Sequence, residues 1–107
     1  METEEKKDLR SLVELNRIIH EPARMMILAI LLAAEKADFV YLQRETGLTR
    51  GNLSSHLSKL EEAGYVSIEK GFRGKVPQTL LSLTPAGRAA FTAYREQLRS
   101  LVERISE

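Results

Sequence analysis

The chain has 107 residues, 43% of them apolar and 29% charged, with a net charge of +1, which is the composition of one small globular domain. It contains no cysteine and only two histidines, which excludes a disulfide framework, a thiolate or histidine-rich metal site and a cysteine nucleophile. Its longest apolar run, residues 25–34, is about half the length of a membrane span, and its acidic N-terminus lacks the pattern of a signal peptide, so we expect a soluble cytoplasmic protein with no membrane partner.

Apolar residues at helical spacing predict two helices in the N-terminal third of the chain, over residues 7–19 and 22–36. Pro22 separates them and suits the first turn of the second helix. The second helix is apolar on nearly all sides, so it should lie at the centre of the core. In the first helix, over residues 7–19, the residues that recur at helical spacing and form one stripe are Leu9, Leu12, Val13, Asn16 and Ile19.

A short helix over residues 39–46 and a longer one over residues 50–63 are predicted on either side of a four-residue turn. Asp38 suits the N-cap of the first helix, and Thr49 suits the N-cap of the second. Gly47 suits the left-handed position that follows a helix. Two short helices joined in this way form a helix-turn-helix.

The second helix of this pair has one apolar face, formed by Leu53, Leu57 and Leu60, and one small, polar and mildly basic face. A helix that reads DNA must lie deep in the major groove, where bulky or apolar outward side chains would prevent contact. Serine and glycine are poor helix formers, which favours a DNA-reading role over the alternative of an ordinary solvated face. The predicted DNA contacts are Thr49, Arg50, Gly51, Asn52, Ser54, Ser55, Ser58 and Lys59.

Two segments of alternating polarity predict a β-hairpin over residues 65–83, with a glycine-flanked basic tip at residues 71–75. Arg73 and Lys75 at this tip are predicted to contact DNA, at the phosphates or in the minor groove. A charged loop that only keeps the protein soluble is the alternative. Phe72 is expected to pack under the hairpin.

A last helix is predicted over residues 85–105, and its apolar stripe is longer than a fold of this size can cover. Together with the stripe of helix 7–19 it predicts a homodimer, whose two DNA-reading helices would lie about 34 Å apart or a multiple of that distance. Packing of both helices on the core of one chain is the alternative. The predicted interface residues are Leu9, Leu12, Val13, Phe91, Tyr94, Leu98, Leu101, Val102 and Ile105.

The run from Leu48 to Val66, the hairpin, and the segment from Leu83 to Arg88 resemble the winged-helix transcriptional regulators of the MarR and ArsR type, in particular short archaeal-type members with a single domain. The resemblance covers about residues 20–90. It implies a mainly α fold with a small β-hairpin, an α+β winged helix-turn-helix in which helix 50–63 is the recognition helix and residues 71–77 are the tip of the wing. It also implies that the terminal helices build the dimer. Many ArsR-type members sense metals through cysteines, and this chain has none, so a thiolate sensor is excluded.

These features predict a single domain over residues 1–107 that binds double-stranded DNA as a homodimeric, sequence-specific regulator. Residues 39–88 carry seven basic and four acidic residues and are the only segment biased toward an anionic partner. The modest basicity and the outward Glu62 favour the alternative, a winged helix that binds a protein instead of DNA. We find no paired carboxylates in an apolar setting, no Ser/His/Asp arrangement and no phosphate-cradling glycine loop, so neither enzymatic activity nor a cofactor is predicted. The sequence leaves open a small-molecule effector between the terminal helices and the core.

Overall fold

The computed structural model of the chain describes residues 15–106. Over these residues the chain forms four helices and one three-stranded antiparallel sheet, which is the predicted α+β winged-helix fold. Most of the elements begin and end within a few residues of the predicted bounds. In chain order they are α1 (Pro22–Ala33), β1 (Ala37–Asp38), α2 (Phe39–Thr46), α3 (Arg50–Glu62), β2 (Val66–Arg73), β3 (Val76–Leu83) and α4 (Pro85–Ile105).

Helix α1 supplies the centre of the core. Ile27, Leu28 and Leu31 are almost fully buried, and the inward leucines of α3 belong to the same cluster. The helix is buried on fewer sides than predicted, because Met26 on its other side is 37% exposed. It also ends three residues earlier than predicted, because the segment that follows must become extended to enter the sheet.

The helix-turn-helix is fixed by local caps, as predicted. The Asp38 side chain accepts a hydrogen bond from the backbone N–H of Tyr41 at 2.7 Å, and Thr49 does the same for Asn52 at 3.1 Å. Gly47 ends α2 with a φ of 71°, the left-handed conformation that glycine adopts without strain. These residues therefore fix where α2 begins and ends and where α3 begins.

The wing is the hairpin of β2 and β3. Arg73 lies opposite Val76, which leaves Gly74 and Lys75 as a two-residue turn. Gly74 has a φ of 65°, and a positive φ at the first central position alone is typical of a type II′ turn. Gly71 was predicted as part of the tip but lies within β2, so the tip is narrower than predicted.

Strand β1 was not predicted. Ala37 and Asp38 pair with Leu81 and Leu80, which makes β3 the central strand of the sheet. These pairs lie at the far end of β3 from Pro77, which has a neighbour only in β2. Pro77 therefore occupies the rim of the hairpin, where the missing N–H of a proline is tolerated.

The structure describes only residues 15–19 of the predicted helix 7–19. These residues form a bend and turns instead of a helix. The side-chain oxygen of Asn16 accepts hydrogen bonds from the backbone N–H groups of Ile18 at 3.0 Å and Ile19 at 3.2 Å. Such bonds compete with the helical pattern, which explains the difference from the prediction. The remainder of the predicted helix, with Leu9, Leu12 and Val13, lies outside the described residues.

The start of α4 is locked to the segment that joins α3 to β2. The backbone N–H of Thr84 donates to the carbonyl of Tyr65 at 3.0 Å, and its hydroxyl donates to the carbonyl of Gly64 at 2.6 Å. Gly87 lies so close to the Tyr65 backbone that a Cβ atom at this position would overlap the carbonyl oxygen. Helix α4 and the base of the wing therefore form one rigid unit.

The apolar stripe of α4 is divided between core and surface. Phe91, Tyr94 and Leu101 are at most 6% exposed, so these three predicted interface residues belong to the core of the single chain. Val102 and Ile105 are 52% and 67% exposed. Together with the half-buried Leu98, they are the part of the predicted α4 interface that presents surface to a partner.

Tyr94 joins α4 to the turn that precedes α1. Its hydroxyl lies 2.6 Å from Nδ1 of His20 and donates to Sδ of Met25 at 3.5 Å. Burial raises the pKa of Tyr94 above its ordinary value, because the low-dielectric interior disfavours the phenolate. The hydroxyl is therefore neutral under ordinary conditions and acts as a hydrogen-bonding group.

Candidate nucleic-acid interface

Helix α3 turns a continuous small and polar surface to solvent. Leu53, Leu57 and Leu60 are at most 2% exposed, and their burial fixes the rotation of the helix about its axis. All eight residues predicted on this helix and its cap are exposed and so are available to a partner. They are Thr49, Arg50, Gly51, Asn52, Ser54, Ser55, Ser58 and Lys59.

Arg50 is oriented by an aromatic ring. Its guanidinium carbon lies 5.5 Å from the centroid of the Phe39 ring, a cation–π contact between the first turns of α3 and α2. Sequence reasoning missed this contact, because the two residues are eleven positions apart. The contact holds the Arg50 side chain at the edge of the groove between α3 and the wing.

This groove has a volume of about 1040 Å³ and is lined by α3, by the start of α2 and by both strands of the wing. Its cations are Arg50, Lys70 and Arg73, and its carboxylates are Asp38 and Glu61. The Asp38 carboxylate is already used as the N-cap of α2. The groove is therefore weakly basic overall, and its cations lie on the two elements that were predicted to contact DNA.

The outer half of the wing stands clear of the helices. Every residue from Glu69 to Pro77 is exposed, including the predicted DNA contacts Arg73 and Lys75. Phe72 is 74% exposed, so the expectation that it packs under the hairpin is wrong. The reason is the length of the strands, which carry it beyond the helices that cover the base of the hairpin.

A buried arginine ties α3 to α1 on the side away from the exposed face. Arg24 is 9% exposed, and its Nη1 donates to Nδ1 of His56 at 3.2 Å while its Nε donates to the carbonyl of Ile18. Glu21 caps α1 by accepting the backbone N–H of Arg24 at 2.8 Å. This contact places His56 beside the helix-turn-helix, and no sequence signal marked Arg24.

The Glu21 carboxylate lies 3.6 Å from Nδ1 of His56 and completes this network. Burial raises the pKa of Glu21, but the backbone N–H groups of Arg24 and Ala23 and the positive charges of His56 and Arg24 outweigh it. The pKa of Glu21 is therefore below its ordinary value. The carboxylate is ionised at neutral pH and lies beside the Arg24 guanidinium and the His56 ring.

Over residues 15–106, no three side chains of the kind that ligate metals come together. No helix in the same range has the length and apolar character needed to cross a membrane.

Comparisons with known proteins agree with this geometry. The model of a family described as a winged helix DNA-binding domain matches residues 23–102. The chain is 39% identical over 90 residues to an uncharacterized protein of Methanocaldococcus jannaschii, and the match covers 83% of this chain and 97% of that protein.

Two solved structures have the same fold. A transcriptional regulator homologue from Pyrococcus horikoshii OT3 is similar with a TM-score of 0.86 and 28% identity, covering 94% of this chain and 99% of that one. A MarR-family transcriptional regulator from Silicibacter pomeroyi is similar with a TM-score of 0.64 and 24% identity, covering 94% of this chain and 66% of that one.

The family match includes the helix-turn-helix, both strands of the wing and most of α4, well over half of the chain. It therefore spans the elements that carry the exposed face of α3 and the basic wing. The chain belongs to the family of winged helix DNA-binding domains, with the fold of the MarR-type transcriptional regulators.

Proposed function

We propose that this protein is a transcriptional regulator that binds double-stranded DNA as a homodimer, with α3 in the major groove and the wing on the backbone or in the minor groove. The observation that carries the proposal is the exposed face of α3, where eight small, polar or basic residues stand opposite three buried leucines. The match to a family of DNA-binding domains supports the same assignment.

The size of the side chains on α3 favours entry into the major groove. Gly51 and the exposed serines project little beyond the backbone, so the helix can approach base edges closely. Arg50 and Asn52 lie in the first turn and carry the planar forks that match guanine and adenine. The contact with Phe39 restricts the Arg50 side chain before DNA arrives, which lowers the entropy cost of binding.

The wing supplies contacts that do not depend on sequence. Arg73 and Lys75 are exposed beside the turn and can neutralise phosphates or enter the minor groove. Lys70 lines the groove between α3 and the wing and would face a DNA strand that passes between the two elements. Binding should therefore weaken as the salt concentration rises.

A second copy of the chain is the partner proposed for the exposed stripe of α4. Leu98, Val102 and Ile105 lie at i, i+4 and i+7 and so share one side of the helix. Pairing about a two-fold axis would match a palindromic operator, with the two α3 helices about 34 Å apart or a multiple of that distance. The N-terminal residues predicted for this interface remain a prediction.

Fluorescence anisotropy titrations with promoter duplexes, including the region upstream of the protein's own gene, test the proposal. With four phosphate contacts per dimer, the affinity should fall about a hundredfold between 50 and 200 mM salt. Selection of bound sequences from a random pool should enrich a motif with two-fold symmetry. A flat salt dependence would contradict phosphate contacts by the wing.

Variants separate the two kinds of contact. Arg50→Ala should relax the base preference, whereas Arg73→Ala and Lys75→Ala should weaken binding to all sequences alike. Arg99→Ala removes an exposed charge on α4 that is paired with Glu96 outside the predicted DNA contacts, and it serves as the control that leaves binding unchanged. Wild-type binding by the first three variants would show that the site is misassigned. A stable complex with another protein, with no affinity for DNA at low salt, would favour a protein-binding winged helix instead.

A further inference from the structure

We infer that Phe72 is an apolar wedge that the wing inserts into the minor groove of bound DNA, where it opens a base step and bends the duplex. The inference rests on the proposed function, because it assigns the role of one side chain within the same complex. The observation behind it is the exposure of Phe72, which at 74% is the highest among the exposed large hydrophobic residues of the described chain.

Folding gives no reason for an apolar side chain at this position. Residues 69–77 are all exposed, and a strand rises about 3.3 Å per residue, which places Phe72 about 13 Å beyond the half-buried Ile68. Phe72 therefore contributes little to the core. An exposed phenyl ring at the end of a hairpin is a liability for solubility unless a partner covers it.

The support of Phe72 is rigid. It is paired with Pro77 across the hairpin, and one further pair, Arg73 with Val76, separates it from the two-residue turn. Lys70 lies two residues earlier in the same strand and therefore on the same face of the sheet. A side chain held on paired strands loses less conformational entropy on insertion than one on a mobile loop.

The residues around Phe72 indicate the chemistry of the partner. Residues 70–79 contain three cations, namely Lys70, Arg73 and Lys75, and no carboxylate. An apolar side chain among cations fits a partner with negative charge outside and apolar surface inside. The minor groove has both, because phosphates flank its sugars, and the faces of its bases become accessible when a base step is opened.

The position of the wing favours DNA over an anionic membrane surface, which shares part of this chemistry. The wing stands across a groove from the polar face of α3. With α3 in the major groove, the hairpin end lies beside the adjacent minor groove. Opening a step costs least at flexible pyrimidine–purine steps, so Phe72 would select such a step without any hydrogen bond to a base.

The test measures affinity, bending and local unstacking on the same operator duplex. We expect Phe72→Ala to raise Kd about tenfold, and to abolish both the bend, measured by energy transfer between end labels, and the fluorescence rise of 2-aminopurine at the contacted step. Phe72→Leu should retain most of the affinity, the bend and the fluorescence rise, because leucine is also an effective wedge. Met26→Ala truncates a less exposed apolar side chain on α1, outside the wing, and is the control for an apolar truncation that should leave DNA binding unchanged. Since Phe72 is exposed, its replacement should leave the melting temperature unchanged.

The salt dependence distinguishes the wedge from a phosphate contact. Phe72→Ala should leave the slope of log Kd against log salt unchanged, because an apolar contact releases no counterions, whereas Arg73→Ala should lower it. Wild-type affinity and bending in Phe72→Ala would overturn the wedge and leave the proposed function standing. Failure of the wild-type protein to bind DNA at low salt would overturn the proposed function itself. Loss of binding to phosphatidylserine vesicles, with DNA binding intact, would assign Phe72 to a membrane surface and overturn the wedge.

Discussion

Replacing Gly51 by alanine separates the stability of α3 from its contact with DNA. No atom lies within 4 Å of the position that a Cβ would take at Gly51, so the methyl group enters open space in the free protein. Alanine is favoured over glycine in a helix by about 0.8–1.0 kcal/mol, and part of this gain applies in the first turn. The melting temperature should therefore rise by roughly 2–5 °C for a domain of this size.

The same methyl group should weaken DNA binding. If the first turn of α3 lies in the major groove, the added methyl meets a base edge or a phosphate, and such overpacking costs about 1–3 kcal/mol. Each 1.4 kcal/mol is a factor of ten, so Kd should rise roughly five- to 150-fold. Thermal denaturation by circular dichroism and anisotropy titration on one duplex give both numbers from the same preparation.

Gly87→Ala is the contrasting control. A Cβ at Gly87 would overlap the Tyr65 carbonyl oxygen and lie 2.8 Å from its carbon, so the backbone must shift. The cost of about 1–3 kcal/mol exceeds the helix-propensity gain, and the melting temperature should fall by several degrees. A Gly51→Ala protein that melts higher yet binds DNA like the wild type would refute the close approach of this turn to the duplex.

Three further predictions concern other parts of the chain. Tyr94→Phe removes the 2.6 Å hydrogen bond to His20 and should cost about 1 kcal/mol in urea unfolding. Because burial raises the pKa of Tyr94 above 10.0, wild-type stability should fall as the pH rises above 10 toward the folded pKa, and the variant should lack that part of the fall. The lowered pKa of Glu21 stabilises the fold above pH 4.5, and this contribution is lost as the pH falls through the folded pKa, so Glu21→Gln should flatten the unfolding free energy between about pH 5 and 3; equal slopes would contradict it. Ile105→Glu should convert a dimer to monomers in sedimentation velocity at unchanged helix content, and an unchanged sedimentation coefficient would place the interface elsewhere.

The helix-turn-helix could be predicted closely because its signals are local. A cap acts over three residues and a left-handed glycine over one, so Asp38, Gly47 and Thr49 each define a boundary without reference to the rest of the chain. The rotation of α3 about its axis could be predicted equally well, because three leucines at helical spacing leave only one side of the helix to face the core. This is why the exposed surface of α3 matched the residues expected there.

Features that depend on distant partners could not be predicted. Strand β1 has two residues, too few for an alternating pattern, and it exists because Leu80 and Leu81 are close enough to pair with it. The outer wing is exposed on both faces, so no alternation marked its strands beyond residue 69. Arg24 is buried through contacts with His56 and a backbone carbonyl, whereas a lone arginine in a sequence is most simply expected at the surface.

The apolar stripe of α4 illustrates a different limit. Periodicity shows that one side of a helix is covered, but it does not show what covers it. The prediction assigned the whole stripe to a second chain, whereas Phe91, Tyr94 and Leu101 are covered within the same chain. Only the positions near the C-terminal end of the helix remain for a partner.

The lock between Thr84, Gly87 and the Tyr65 backbone bears on which operators the protein could accept. In a dimer built through α4, this lock would hold both wings in fixed positions. The distance between the two DNA-binding surfaces would therefore be set when the dimer forms. One inserted base pair turns a half-site by roughly 35° about the duplex axis, and a stiff frame has no hinge with which to follow it. Such a protein would tolerate changes of base within a half-site better than changes of spacing between half-sites.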